Sequence, residues 1–410
     1  MMKPNFLDMS KLLTSKRIYR LFDAVESHGG TLRFVGGAVR DTLAGRHNSF
    51  DLDLASDLSP DELVEACEDY GLKTVPIGLK FGTIGVIIDN QALEVTSLRR
   101  DVVTDGRHAK VEFTDDWSVD ASRRDLTINA VYADLYGNVF DYYNGINDLE
   151  NGIVRFIGNP DERIKEDYLR IMRFFRFYSI FSKQPMNKEA LKACVANKDG
   201  LRTLSIERVR DELFKLLVTP RAAETMQIIF DNDILSYFLP SKSIHIEALQ
   251  HLTELVEDMK YEGNFLRRLF VLYQPNASEA ENMARTLRFS KRQKDNFINW
   301  AKINLMPENI STPSQRLRFI YRYGKTFCLD KILLTAAIYN IESSKVANVL
   351  QEVEDAVVPI FPLRGRDLIE QNIASGEKIG QKLALLEQLW IDSNFNLTRD
   401  ELLEFARKAI

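Results

Sequence analysis

The sequence contains little cysteine and no long apolar run. Its three cysteines, Cys67, Cys194 and Cys328, lack the spacing of metal ligands, so we expect reduced thiols in a cytoplasmic protein rather than a disulfide framework or a zinc site. No apolar stretch approaches the roughly 18 residues that a membrane-spanning helix needs, and no signal peptide is visible. The sequence therefore predicts a protein without a membrane partner.

A basic excess is also missing. The 410 residues include 54 lysines and arginines against 59 aspartates and glutamates, which gives a net charge of −5. This balance argues against broad, non-specific coating of nucleic acid, but a local basic stripe is enough for an RNA substrate. The length and an apolar fraction of 45% are typical of a globular protein with about two to four domains.

The most informative stretch is a glycine-containing turn near the N-terminus. The apolar run Leu32–Val35 leads into Gly36 and Gly37 and then into a short helical segment that carries Arg40. Glycine lets backbone N–H groups approach a phosphate where a side chain would block them, and an arginine adds a charge-assisted contact. The stretch predicts a phosphate-binding turn.

A pair of carboxylates follows in a predicted strand. Asp51 and Asp53 are separated only by Leu52, so both side chains point to one face of the strand. Two such carboxylates repel each other unless a cation lies between them, and their hard oxygen atoms suit Mg²⁺. Glu94, in the second strand of a predicted hairpin, could complete a three-acid metal site, although a solvent-facing glutamate fits the spacing nearly as well. We therefore expect the metal and phosphate end of a nucleotidyl-transfer site.

A polar segment and two arginines come next. Residues 99–120 are charged and predict a loop, whose length is typical of functional or disordered segments. Arg123 and Arg124 follow, directly before an apolar run predicted to be helical, which is a suitable place to hold a triphosphate. A salt bridge between Arg124 and a neighbouring acid would explain the same residue without a substrate.

From Pro160 onward the apolar period is helical, which places a domain boundary near Asn159. One helix, predicted over 166–177, carries Asp167 and Arg170 three residues apart and therefore adjacent on its surface. Cytosine and adenine each present an amino donor beside a ring-nitrogen acceptor, which an aspartate and an arginine satisfy together. Uracil and guanine present the opposite polarity and would leave buried groups unpaired, at a cost of about 1–3 kcal/mol per group. Acid–arginine pairs are also common on solvated helices, so the spacing leaves both interpretations open.

Two later segments, 285–294 and 316–323, interleave basic and aromatic residues. Such segments can contact RNA phosphates and stack on bases. A solvated helix face explains either segment at least as well.

Five motifs lie between residues 31 and 217: G-G-A-V-R-D with D-L-D, R-R-D-L-T-I-N-A, D-L-E-N-G-I-V-R, E-D-Y-L-R-I-M-R-F-F-R-F and S-I-E-R-V-R-D-E-L. With these motifs in this order, the chain resembles the bacterial class II CCA-adding enzymes of the tRNA nucleotidyltransferase/poly(A) polymerase family. The resemblance implies an α+β protein. Its parts would be a polymerase-beta-like catalytic head with a mixed sheet and helices (1–158), then an all-α neck (159–219), body (220–340) and tRNA-binding tail (341–410).

The family adds C, C and A to the 3′ end of tRNA from CTP and ATP, with Mg²⁺ and without a nucleic-acid template. By this resemblance Asp51 and Asp53 are metal ligands and, with Glu94, the catalytic carboxylates. The residues expected to bind the nucleotide are Gly36, Gly37, Arg40, Arg124, Asp125, Asp167, Arg170, Arg173 and Arg176. The expected polymeric partner is the 3′ end and acceptor/T arm of tRNA, and we expect a monomer or a homodimer.

The resemblance also assigns two supporting parts. Residues 100–120 correspond to the family's flexible loop, and similar enzymes that add only CC lack that loop, so its presence favours full CCA addition. Glu207 and Arg208 are expected to brace the neck helix rather than touch the substrate.

Three alternatives remain at this point. A bacterial poly(A) polymerase shares the motifs but usually carries an extended basic tail, which this acidic sequence does not show. Partial enzymes that add only CC or only A are poorly separated by sequence. A non-catalytic RNA-binding module is disfavoured because Asp51, Asp53 and Arg124 are all present.

Overall fold

The computed structural model describes residues 7–9, 13, 16–46, 52–103, 110–240, 243–303, 312–371 and 376–408. The chain forms two compact units, one of Met1–Ser241 with Thr286–Arg288 and one of Lys242–Arg285 with Phe289–Ile410. Within the described ranges, every strand belongs to the first unit, and the second unit is helical. The predicted α+β architecture is confirmed, and the finer division into head, neck, body and tail stays a prediction.

A seven-stranded mixed sheet organises the first unit. The described strands are β1 (Leu32–Val35), β2 (Asp53–Ser56), β3 (Lys73–Gly78), β4 (Thr83–Ile88), β5 (Gln91–Ser97), β6 (Arg99–Val103), β7 (Lys110–Phe113), β8 (Val131–Ala133) and β9 (Val139–Asp141). The order in the main sheet is β3-β4-β5-β2-β1-β8-β9, while β6 and β7 pair with each other. β2 and β5 run parallel, and the other described pairs are antiparallel.

Helices cover this sheet and then extend the unit. They are α1 (Lys16–Ser27), α2 (Gly37–Leu43), α3 (Pro60–Asp69), α4 (Trp117–Ser122), α5 (Gly145–Asn151), α6 (Pro160–Glu166), α7 (Leu169–Phe181), α8 (Lys188–Ala196), α9 (Ile206–Leu217) and α10 (Ala222–Asp231). α3 begins with a capping box, in which Ser59 and Glu62 bond each other's backbone N–H groups. The change from strands to helices at Asn159, the N-cap of α6, is also as predicted.

The two faces of the sheet have separate apolar cores. Leu54 and Val95 belong to the larger core, which includes side chains of α1 and α3, whereas Ala55 belongs to the smaller core on the other face. Because side chains alternate along a strand, Asp53 and Glu94 point to the face of Ala55. The sheet therefore places both carboxylates on one side.

The prediction of a loop over residues 99–120 is wrong for most of that range, which contains two strands and the start of a helix. β6 and β7 form an antiparallel ribbon in which Arg100 lies opposite Glu112, and the two side chains form a salt bridge at 2.5 Å. Such cross-strand charge pairs stabilise strands that composition alone presents as a loop. α4 follows the ribbon, and residues 104–109 lie outside the described ranges.

The helices of the second unit are α11 (Ile246–Asp258), α12 (Phe265–Tyr273), α13 (Ala277–Thr286, whose last residue falls in the first unit), α14 (Lys291–Lys302), α15 (Pro313–Tyr323), α16 (Lys325–Ile338), α17 (Ser343–Asp355), α18 (Gly365–Glu370), α19 (Lys378–Asp392) and α20 (Arg399–Lys408). In the described part of the chain, none of the helices has the length and apolar character needed to cross a membrane.

Two arginines of the basic segment on α15 form ion pairs or hydrogen bonds with other residues of the second unit. Arg316 is buried and pairs with Glu352 of α17. Arg318 donates hydrogen bonds to the Asn394 side chain at 2.7 Å and to the Asp392 carbonyl at 3.0 Å, beyond the end of α19 and at its last residue. These two arginines therefore stabilise the unit itself, a role that neither sequence interpretation included.

Candidate active site

The predicted phosphate turn lies between β1 and α2. Gly36, which follows Val35, has φ 70° and ψ −125°, a conformation that residues with side chains rarely adopt, and Gly37 begins α2. A Cβ atom built on Gly36 would lie 3.7 Å from Arg124 Nη1 and 3.9 Å from Asp53 Oδ2. The turn thus faces both a predicted phosphate ligand and a predicted metal ligand.

Arg40 projects from α2, and each of its three guanidinium nitrogens donates a hydrogen bond to a neighbouring side chain. Its Nε and Nη2 donate to the two carboxylate oxygens of Asp41, both at 2.9 Å, and its Nη1 donates to Asn129 Oδ1 at 2.6 Å. The guanidinium lies 4.7 Å from the ring centroid of Phe177 and 4.8 Å from that of Phe181. Burial lowers the pKa of Arg40 from its ordinary value, and the Asp41 carboxylate opposes this effect.

The described carboxylates of the predicted metal site lie on neighbouring strands. Asp53 is exposed and begins β2, and the parallel pairing with β5 puts it in register with Glu94, which is also exposed. The prediction of a strand through both aspartates is wrong before Asp53, since Leu52 precedes the strand. Asp51 lies outside the described ranges.

The donor chemistry of this corner fits a divalent metal. Asp53 and Glu94 supply the hard carboxylate oxygens that Mg²⁺ prefers. In the part of the chain that the structure describes, no group of three or more potential metal ligands occurs. The third carboxylate that the sequence offers, Asp51, is outside that part.

Arg124 is held from two directions. Its Nε donates to Tyr132 Oη at 3.2 Å and its Nη2 donates to Asp120 Oδ2 at 3.3 Å. Burial would lower the pKa of Arg124, but the oxygens of Tyr132 and Asp120 outweigh burial and raise it above its ordinary value. The salt bridge considered as an alternative therefore exists, and it coexists with an Nη1 that lies beside Gly36.

Asp125 is buried beside Arg173 of α7. Arg173 Nε donates to Asp125 Oδ2 at 2.6 Å, while Asn129 Nδ2 and the Leu126 backbone N–H donate to Oδ1 at 3.0 and 2.8 Å. Burial would raise the pKa of Asp125, but Arg173 outweighs burial and holds it well below its usual range. These local bonds compete with helix formation, so the helical run expected here is a single 3₁₀ turn, Thr127–Asn129.

The single helix predicted around Asp167 is interrupted there. Asp167 has φ −154° and ψ 106°, between the end of α6 and the start of α7. Its Oδ1 accepts the backbone N–H of Leu169 at 3.1 Å, and its Oδ2 accepts Arg208 Nη2 at 2.7 Å. The prediction that Asp167 and Arg170 share the surface of one continuous helix is therefore wrong.

Arg170 and Arg176 project from α7 and have partners of their own. Arg170 is paired with Glu166, and its Nη2 donates to the Arg123 carbonyl at 2.9 Å. Arg176 Nε donates to Glu212 Oε2 of α9 at 2.6 Å. Both guanidinium groups are thus positioned before any substrate arrives.

These side chains surround one cavity of about 490 Å³, which we call the arginine cavity. It is lined by Gly36, Gly37, Arg40, Asp53, Arg123, Arg124, Asp125, Asn129, Asp167, Leu169, Arg170, Arg173, Arg176, Phe177 and Arg208. The cavity brings together all nine residues predicted to bind the nucleotide, together with Asp53. Seven of the lining residues are arginines against three aspartates, so the cavity is suited to a polyanion. Glu94 is not among the lining residues.

Sequence reasoning missed Arg208 and Asn129 as lining residues. Arg208, expected to brace the neck helix, lines the cavity and bonds Asp167, whereas its neighbour Glu207 pairs with Arg288. Asn129 connects Asp125 to the phosphate side of the cavity. The R-R-D-L-T-I-N-A motif contains Asn129 and was the signal that could have identified it.

Comparison with known proteins agrees with this geometry. Residues 32–155 match the family model of the poly(A) polymerase head domain, and residues 185–243 match that of a probable RNA- and SrmB-binding site of polymerase A. The chain is 34% identical over 386 residues to the human mitochondrial CCA tRNA nucleotidyltransferase 1, which covers 92% of this chain and 86% of the human protein. The chain belongs to the family of CCA-adding tRNA nucleotidyltransferases.

Other members support this assignment. The CCA-adding enzyme of Staphylococcus haemolyticus is 31% identical over 409 residues, covering 95% of this chain and 97% of that enzyme. The crystal structure of the Bacillus stearothermophilus CCA-adding enzyme in complex with CTP shares the fold, with a TM-score of 0.75, 23% identity and coverage of 100% of this chain and 99% of that chain. The family predicted from the five motifs is confirmed. The protein is a nucleotidyltransferase, and CCA-adding nucleotidyltransferases use a divalent metal.

Proposed function

We infer that this CCA-adding nucleotidyltransferase extends the 3′ end of tRNA with C, C and A in turn, from CTP and ATP and without a nucleic-acid template. The arginine cavity is the observation that carries the inference. It collects the nucleotide-binding residues of the motifs and Asp53 at one place, in a chain whose relatives are named for CCA addition.

The carboxylates of Asp51, Asp53 and Glu94 form the metal site in this proposal, and Mg²⁺ is the ion. Two such ions, when bound, would share the chemistry: one would lower the pKa of the tRNA 3′-hydroxyl, and the other would stabilise the charge of the departing pyrophosphate. The register of Asp53 with Glu94 and the hard oxygen donors support this assignment. Asp53 also lines the cavity next to Arg124, which makes the metal and triphosphate sites contiguous.

Arg40 and Arg124 hold the triphosphate together with the backbone of Gly36 and Gly37. Both guanidinium groups are already fixed by protein partners, so binding a nucleotide costs little further side-chain entropy. Asp125 keeps Arg173 in place at the same wall of the cavity. The positive wall thereby meets the phosphates in a fixed geometry.

Asp167 and Arg170 read the base, and Arg173 and Arg176 complete the nucleotide pocket. Asp167 accepts a hydrogen bond from the exocyclic amino group, and Arg170 donates one to the ring nitrogen of cytosine or adenine. Although the two residues do not share one continuous helix, both line the cavity. A UTP or GTP in this pocket leaves buried groups unpaired, at about 1–3 kcal/mol per group, so each unpaired group lowers incorporation by about five- to 150-fold.

The test uses tRNA that lacks its 3′ CCA. The purified protein is incubated with this tRNA and each nucleotide singly, and with CTP plus ATP, and the products are sized on a sequencing gel. Three added residues with the pair, two with CTP alone, and none with UTP or GTP establish CCA addition.

Other products identify the alternatives. A long adenosine ladder makes the protein a poly(A) polymerase. A stop after two residues in the presence of ATP makes it a CC-adding enzyme, and addition of A only to tRNA that already ends in CC makes it an A-adding enzyme. No incorporation into either tRNA, with tRNA still bound, indicates an RNA-binding module.

We place this activity in the cytoplasm. The three cysteines are buried free thiols, as a reducing compartment allows. Since the human relative is named as mitochondrial, the matching test is cell fractionation with immunodetection of the native protein.

A further inference from the structure

Asp120 of α4 lies behind the wall of the arginine cavity and is 1% exposed. Its Oδ1 accepts hydrogen bonds from Arg123 Nε at 2.8 Å and from the Arg99 backbone N–H at 3.4 Å. Its Oδ2 accepts from Tyr132 Oη at 2.8 Å and from Arg124 Nη2 at 3.3 Å. Burial would raise the pKa of Asp120, but the two arginines outweigh burial and lower it, so the group is an ionised carboxylate at neutral pH.

Tyr132 of β8 completes this arrangement. The residue is fully buried, and its hydroxyl donates to Asp120 while it accepts from Arg124 Nε at 3.2 Å. A hydroxyl has one hydrogen to donate and lone pairs to accept. The two hydrogen bonds therefore run in one direction, with Arg124 donating to Tyr132 and Tyr132 donating to Asp120.

Two of the three guanidinium nitrogens of Arg124 are thus held on one side. Tyr132 accepts a hydrogen bond from Nε, and Asp120 accepts one from Nη2. Because the guanidinium is planar, these two bonds also fix the direction of its third nitrogen. That nitrogen, Nη1, lies beside the Gly36 turn, 3.7 Å from the place where a Cβ atom of Gly36 would be. The hydrogen bonds to Tyr132 and Asp120 therefore direct the Nη1 edge of Arg124 into the cavity.

The same carboxylate is also connected to Arg170, a second arginine that lines the cavity. Asp120 holds the Arg123 side chain, and the Arg123 carbonyl accepts Arg170 Nη2 at 2.9 Å. Asp120 also bonds the backbone of Arg99, the first residue of β6. One buried group consequently joins the start of the ribbon to both the phosphate wall and the base-reading wall.

We propose that Asp120 and Tyr132 are positioning residues for nucleotide addition, which hold the Arg124 guanidinium with Nη1 directed at the bound triphosphate. Neither residue lines the cavity, so both act through Arg124. This proposal rests on the role of Arg124 as a phosphate ligand proposed above.

Tyr132→Phe is the decisive variant. It removes one oxygen atom and keeps the ring, whose edge-to-face contact with Trp117 (centroids 5.3 Å apart) helps to hold the local core together. We expect kcat/KM for CTP and for ATP to fall about tenfold, the size of one hydrogen bond to a charged group. Asp120→Asn should show the same fall or a larger one, but it also removes the counter-charge of two arginines, so the tyrosine variant is the cleaner one.

Tyr142→Phe is the matched control. The Tyr142 ring neighbours that of Tyr132, at 6.0 Å between centroids, but its hydroxyl accepts from Arg33 Nη1 at 3.0 Å. Removing this hydroxyl should leave kcat/KM unchanged. A tenfold loss in both variants would overturn the proposal, because the loss would then reflect general damage to the aromatic cluster.

A double-mutant cycle separates positioning from structural damage. Arg124→Ala should lose more activity than Tyr132→Phe, and adding Tyr132→Phe to Arg124→Ala should cause no further loss in kcat/KM. A full additional tenfold loss in that background, or wild-type activity in Tyr132→Phe, overturns the positioning role and leaves the role of Arg124 intact. Wild-type activity in Arg124→Ala instead overturns the proposed phosphate role of Arg124, and the positioning role with it.

Discussion

At the scale of single residues, Asp53 is the described carboxylate that belongs to both the proposed metal site and the arginine cavity. Asp53→Asn keeps the size of the side chain and removes the charge of a proposed metal ligand at an exposed position. We expect kcat for CTP addition to fall by about 10²–10³-fold, because the metal's contribution to the transition state is several kcal/mol. Thermal unfolding should be unchanged, since the side chain is exposed.

Glu65→Gln is a suitable control for Asp53→Asn. Glu65 is an exposed carboxylate on α3, away from the cavity lining. It should leave both kcat and the melting temperature unchanged. Retention of more than about a tenth of wild-type kcat by Asp53→Asn would contradict the proposed metal site.

Asp125 provides a pH-dependent test of the wall that contains Arg173. Its pKa is lowered in the folded protein, so the stability it contributes is present above its unfolded value of 3.8 and is lost as the pH falls through the folded value. Asp125→Asn should therefore lower the free energy of unfolding by about 1–3 kcal/mol at pH 7 and by the same amount at pH 5. Urea denaturation at pH 7, 5 and 3 measures this, and an undiminished difference at pH 3 would argue against the ion pair.

At the scale of secondary structure, the ribbon of β6 and β7 falls in the stretch that the sequence resemblance assigns to the family's flexible loop. Because similar enzymes that add only CC lack this loop, we propose that the ribbon serves the addition of A. Replacing residues 100–112 with three glycines leaves Arg99 and Asp120 in place. We expect A addition to fall about a hundredfold, the scale of a misplaced substrate, while C addition continues.

The readout of the ribbon deletion is the ratio of tRNA ending in CC to tRNA ending in CCA. Addition of C in the same tube is the internal control for folding and tRNA binding. Equal losses of C and A addition would show that the ribbon supports the head as a whole and has no special role in the last step.

The elements that sequence predicted well are those decided by local chemistry. The hairpin predicted around Glu94 is present as β4 and β5, which are joined at Asp89 and Asn90, both with positive φ. The boundary predicted near Asn159 is present too, because the Asn159 side chain caps the first turn of α6. The break at Asp167 was not predictable, because it depends on a side chain that bonds the next helix's backbone and on Arg208 from α9. The nine nucleotide-binding residues and Asp53 were predicted individually, whereas Asn129 and Arg208 were missed. A partner from a distant segment, such as Glu212 for Arg176, was not predictable from the local sequence.

At the scale of the whole molecule, the second compact unit contains a buried lysine whose ionisation is linked to stability. In the second unit Lys331 of α16 is 6% exposed, its Nζ donates to the Trp300 carbonyl at 2.9 Å, and burial lowers its pKa to about 8. The unfolded chain binds this proton more tightly than the folded one. The free energy of unfolding should therefore rise with pH between about 8 and 10.5, by up to about 3 kcal/mol, and be independent of Lys331 titration below that range.

Lys331→Met should remove this pH dependence. Trp300 and Trp390 both belong to the second unit, so urea denaturation followed by tryptophan fluorescence reports mainly on that unit. Lys345→Met makes the same chemical change at a side chain that is 73% exposed and should leave the pH dependence as in the wild type. Parallel pH profiles for all three proteins would refute the lowered pKa of Lys331.

The strand order of the main sheet has a consequence for how the enzyme is made. The centre of the sheet pairs β2 with β5 and β1 with β8, so Asp53 meets Glu94, and Val35 meets Tyr132, only across long stretches of chain. Such non-local pairings form slowly, because the chain loses the entropy of closing a long loop before the strand contacts contribute any stabilising free energy. A nascent chain on the ribosome cannot close this sheet until Tyr132 has left the exit tunnel. The arginine cavity also needs Arg170, Arg173 and Arg176 of α7. We therefore expect nucleotide binding to arise only after α7 has followed β8 out of the tunnel, and truncated products that end before β8 to have none.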